Sequence, residues 1–103
     1  MKKLFILFAL FPFSLLTSCG EKTDVVESGT YQGTVDEVEE DKTEIYVKTA
    51  DGKLLELYFS DSTSLTKAGQ PVLFNQIGEG DKVEVEVVKN GKSLNPISVK
   101  ILE

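Results

Sequence analysis

The 103-residue chain has no histidine, no tryptophan, no arginine and a single cysteine, Cys19. Each absence removes a class of chemistry. Histidine is the usual general base and the commonest soft-metal ligand. Without it, and with one thiol already engaged elsewhere, the ordinary zinc, copper and haem sites cannot be assembled. One cysteine forms no intrachain disulfide, so stability must come from the core. The 11 basic residues are all lysines scattered along the chain, against 17 acidic residues, giving a net charge of −6. No clustered positive surface exists to displace counterions from phosphates, which argues against a nucleic-acid partner. The same sign disfavours adsorption to anionic lipid headgroups by charge.

The chain does contain a secretion leader. Met1-Lys2-Lys3 is a short positive region, and Leu4 to Leu16 is an apolar stretch interrupted by Pro12. A membrane-spanning helix needs roughly 20 apolar residues, so this stretch reads as a signal peptide. Leu16-Thr17-Ser18-Cys19 follows and resembles the bacterial lipobox, an aliphatic residue and two small residues before a cysteine. That resemblance implies cleavage between Ser18 and Cys19, with lipid on the thiol and acylation of the new amino group. Two or more acyl chains anchor stably where one does not. The sequence thus divides into a signal peptide (1–18), a lipidated tether (19–29) and a domain (30–103). Gly20, not acidic, resembles lipoproteins sorted to the outer membrane, so the expected place is the cell envelope, outer membrane ahead of inner.

From residue 30 onward the apolar positions alternate with a period of two, the signature of half-buried strands. Thr30–Val38 alternates through Tyr31, Gly33 and Val35 and then breaks step to Val38, which suggests a bulge, with Gly33 permitting close backbone approach. Around Ala50-Asp51-Gly52 a three-residue loop with a left-handed Gly52 places Ile45, Val47, Leu55, Leu57 and Phe59 on one face. The opposite face then carries Glu44, Tyr46, Lys48, Leu54, Glu56 and Tyr58, and a one-residue slip would exchange the two sets. Leu65 and Val72 flank a minor hairpin at Lys67-Ala68-Gly69-Gln70, and Leu73–Ile77 reads as one helical turn that places Phe74 and Ile77 in the core. Val83, Val85 and Val87 point inward from the next strand, with Asn90-Gly91 as a hairpin signal. Ile97, Val99 and Ile101 are expected inward from the last strand, with an irregularity near Asn95-Pro96 because proline cannot donate to the ladder.

Five substantial strands with one short helical turn predict an all-β, five-stranded OB-like barrel. Gly33-Thr34-Val35, Val47 to Lys53, Asp61-Ser62-Thr63, Leu65-Thr66-Lys67 and Gly80 to Val85 together resemble the OB-like domains of unknown function found in bacterial envelope proteins. The resemblance carries fold information and little chemistry.

Three clusters invite a functional reading. Asp36-Glu37 with Glu39-Glu40-Asp41 offers oxygen ligands but no EF-hand spacing, so a solvated loop is expected there. Glu84 and Glu86 point outward in parallel from one strand face rather than across a cleft, as glycoside hydrolysis needs, and are expected to discourage edge-to-edge pairing. Tyr46 and Tyr58 share the outer face of strands two and three, the surface OB-folds use for ligands, and their rings could stack on a ligand or simply cover the barrel. No catalytic constellation, metal site or cofactor is expected. The expectation is a non-catalytic envelope module, held to the membrane through Cys19 and engaging a protein or glycan partner. The alternative is an accessory subunit without a ligand.

Overall fold

A computed structural model describes residues 23–102; the predicted leader and Cys19 lie outside the described residues. The described chain is nearly all β, as its alternation predicts. Its strands are β1 (Gly29–Glu39), β2 (Glu44–Thr49), β3 (Leu54–Tyr58), β4 (Ser64–Lys67), β5 (Gln70–Pro71), β6 (Lys82–Asn90) and β7 (Ser93–Ile101). Two short 3-10 turns, Glu40–Lys42 and Phe74–Gln76, complete the described elements.

One sheet runs in the order β3-β2-β1-β6-β7-β4-β5. β3 and β4 are consecutive along the chain yet lie near opposite ends of that order. β3 pairs with β2, whereas β4 runs parallel to β7. The short link between them therefore bends the sheet round on itself, and the Thr63 hydroxyl fastens that link to the carbonyl of Pro96 at 2.9 Å. The result is the expected small OB-like barrel, with the minor hairpin β4–β5 as two further short strands.

Register explains the core. Val35 pairs with Val47 and Val38 with Ile45 across β1 and β2, while Val47 pairs with Leu55 and Ile45 with Leu57 across β2 and β3. Ile45, Val47, Leu55 and Leu57 are wholly buried. Phe59 is partly buried and meets Phe74 edge-to-face, ring centroids 5.0 Å apart. The three-residue loop forms as expected: Thr49 N–H donates to Lys53 O at 2.8 Å, and Gly52 has φ +89°. The bulge falls between Val35 and Glu37, where the alternation breaks step. Gly33 is required by crowding rather than by φ. A Cβ there would lie 2.7 Å from Val47 Cγ1 and closer still to the Lys48 carbonyl oxygen. Ala68 and Gly69, both at positive φ, turn the minor hairpin.

Two expectations are corrected. Ile97 is not inward but 41% exposed. The register shift opposite Glu86 and Val87 pairs Ser98 with Glu86 and Pro96 with Val87, skipping Ile97, so Pro96 takes the buried position and Ile97 is the bulged residue. Glu84 and Glu86 do not guard an edge, because β6 lies between β1 and β7. Glu84 instead faces Lys100 across the ladder, with Nζ and Oε1 3.9 Å apart. Residues ahead of Gly29 pack on the barrel as well. Val26 joins the core, Asp24 N–H donates to Leu54 O at 2.7 Å, and Leu54 N–H returns a bond to Asp24 Oδ2 at 2.9 Å. This clasp satisfies backbone groups on the outer edge of β3 that would otherwise invite a foreign strand.

Candidate functional site

Even-numbered residues of β2 and β3 point away from the core because Ile45, Val47, Leu55 and Leu57 point into it. The bulge after Val35 changes the phase of β1, so that Glu37 and Glu39 join them. Two cross-strand rows result: Glu37 opposite Tyr46 opposite Glu56, and Glu39 opposite Glu44 opposite Tyr58. Four carboxylates and two tyrosines thus share one patch on three strands. Tyr46 and Tyr58 are where the sequence places them, and Tyr58 is 52% exposed. The Tyr46 hydroxyl donates to Glu56 Oε2 across the ladder at 3.4 Å, a long bond.

Glu44 is the residue that sequence reasoning misjudged. Assigned to a mixed outer face, it is in fact wholly buried, one of two buried polar residues among those described. Neither carboxylate oxygen has a hydrogen-bond partner of normal geometry. Burial is the main influence pushing its pKa above the ordinary value of 4.5; Glu56 adds to the shift, and the hydroxyls of Tyr58 and Tyr46 oppose it. The carboxylates in turn hold both phenols protonated. Tyr58 is pushed up to about 12, first by its interactions with Glu44 and Glu56. Tyr46 is raised as well, first by burial and then by Glu56 and Glu44. Such a patch is costly. Like charges directly opposite on a ladder destabilise it by about 0.2–1 kcal/mol, and an unsatisfied buried polar group costs about 1–3 kcal/mol. The pairing of Glu39 with Glu44, legible once the bulge is placed, was the signal that could have flagged it.

Beside these rows lies a cleft of about 380 Å³ lined by Asp36, Glu39, Tyr46, Leu54 and Glu56 among others. The predicted acidic loop is therefore not one unit. Asp36, Glu37 and Glu39 lie on β1, whereas Glu40 and Asp41 sit in the 3-10 turn, with Lys42 Nζ 3.9 Å from Glu39 Oε1. Among the described residues, no group of three or more His, Cys, Asp or Glu side chains is placed to hold a metal ion.

No family profile and no curated protein matches this chain. Solved structures do. A Cu(II)-bound variant of CusF from Escherichia coli superposes with a TM-score of 0.56 at 15% identity, covering 75% of this chain and 94% of that one. Ag(I)-bound CusF from the same organism gives 0.56 at 15% identity over 77% and 96%. Apo CusF gives 0.51 at 14% identity over 88% and 100%. The chain therefore shares the fold of these small β-barrels.

Proposed function

We propose that this chain is a non-catalytic binding module of the cell envelope, anchored through lipid on Cys19, that takes its partner on the outer face of β1, β2 and β3 around Tyr46 and Tyr58. The observation that carries the reading is a wholly buried carboxylate, Glu44, held among Glu56, Tyr46 and a half-exposed Tyr58. A barrel needing only solubility has no reason to retain that cost, whereas a recognition surface does.

The fold is that of proteins solved with copper and silver, and this supports a binding role. The metal itself does not fit the described barrel. Silver(I) prefers thiolate, thioether and imidazole donors and copper(II) imidazole, and residues 23–102 contain no Cys, Met or His. The partner is instead a molecule read by carboxylates and phenol rings.

The test is recovery of partners from detergent extracts by the full chain and by its Tyr46→Ala and Tyr58→Ala variants. The proposal expects a partner that the wild type retains and both variants lose. Equal recovery by all three would remove this face from the reading and favour an accessory subunit held by another surface.

A further inference from the structure

We infer that the side of the barrel where β3 approaches the start of β7 is the surface this protein turns to the bilayer; this rests on the Cys19 anchor proposed above and adds an orientation to it. The cause is a strap. Residues 24–28 have the composition of free tether but are fastened to three strands. Asp24 exchanges two bonds with Leu54 of β3, and Val26 is buried in the core. The Glu27 carbonyl accepts the Tyr31 hydroxyl of β1 at 2.6 Å, and its carboxylate lies 3.3 Å from Lys89 Nζ of β6. Ser28 Oγ accepts the Lys89 N–H at 2.8 Å. The point where the strap leaves the barrel is equally defined. Thr23 lines a small cleft with Tyr58 of β3 and with Lys92 and Ser93 where β7 begins, and it also lines the cleft beside Tyr46.

Length then decides orientation. Cys19 and Gly29 are ten residues apart, about 35 Å at full extension. A barrel of the 80 described residues is about 30 Å across. A free tether of that reach would let any side of the barrel meet the membrane. The strap leaves only the four steps from Cys19 to Thr23, about 14 Å at most. That is less than half the barrel's width, so Thr23 stays in the hemisphere nearest the headgroups. A net charge of −6 supplies no adhesion to anionic lipid, which leaves the tether to set the pose. The groups at the exit suit such a place. Tyr58, 52% exposed, and Lys92 beside it each carry a polar end on an apolar body. The Tyr46 and Tyr58 face therefore opens beside the bilayer.

The experiment takes the isotope-labelled protein extracted from its own membranes, with its mass measured intact, and reconstitutes it into nanodiscs of neutral lipid. Amide signals are compared with and without a gadolinium-chelating headgroup lipid. Signal loss is expected at Glu56, Tyr58, Lys92 and Ser93. Ala68, Gly69 and Leu102, which line one cleft at the far end of β7, about 30 Å along the strand from Ser93, should keep theirs. A variant with sixteen Gly and Ser residues inserted between Lys22 and Thr23 should lose this contrast. Even broadening of the wild type, loss centred on Ala68 and Gly69, or an undiminished contrast in the insertion variant would overturn the inference. An acylated residue 19 with even broadening leaves the anchor standing and removes only the orientation; an unmodified residue 19 removes both.

Discussion

Glu44 stands directly opposite Glu39 across β1 and β2, two carboxylates in one ladder position, and one of them is completely buried. A sheet selected for stability alone would place opposite charges or a β-branched pair there. The consequences can be measured.

The first concerns pH. The carboxyl of Glu44 titrates above its ordinary value in the folded state, chiefly through burial, so the native protein binds that proton more tightly than the unfolded chain does. Stability from this group is therefore fully present below pH 4.5, the ordinary value, and is lost as pH rises through the raised folded value. Glu44→Gln removes this dependence. Denaturant melts of both proteins should show the variant gaining on the wild type as pH rises from 4 to 7. A difference that stays flat or reverses would contradict the burial of Glu44.

Gly33 provides a packing test. A methyl there would collide with Val47 Cγ1 at 2.7 Å and with the Lys48 backbone, which cannot move independently of the ladder. Gly33→Ala should lower unfolding free energy by about 1–3 kcal/mol, the usual cost of overpacking. Gly52→Ala, where a Cβ meets nothing but φ is +89°, should cost about 1–2 kcal/mol through left-handed backbone strain alone. Urea denaturation measures both costs, and amide NMR separates the two, because only the first should also shift the resonances of Val47 and Lys48.

The minor hairpin predicts a gain. Ala68 sits at φ +54° ahead of Gly69 at φ +79°, and two-residue turns of this kind favour Asn followed by Gly. Ala68→Asn should raise stability by up to about 1 kcal/mol, visible as a higher urea midpoint with unchanged slope.

Anchoring is tested separately. Cys19→Ser should yield an uncleaved or freely soluble species, and intact-mass analysis of the wild type should show acyl chains on residue 19. Persistence of the variant in carbonate-washed membranes would count against lipidation.

Much of the barrel was legible because binary pattern and turn chemistry agreed. Only a three-residue loop at 50–52 gathers Ile45, Val47, Leu55 and Leu57 on one side, and that register is observed. The last strand misled because Ile97 continues an apolar alternation that Pro96 interrupts. A proline can take a buried position while donating nothing, and the extra residue is then expelled. Asp24 and Val26 read as tether because short polar stretches lack periodicity, although their roles as edge clasp and core plug depend on contacts 30 residues away. Tyr46 and Tyr58 were legible as a face. The burial of Glu44 was not, since covering a side chain from above depends on neighbours in two other strands.

The most direct test is a carbon-13 titration of the Glu44 side-chain carboxyl in the ligand-free protein. A midpoint above 4.5, the ordinary glutamate value, is the expected result. A midpoint at or below that value would contradict a carboxylate buried in this face.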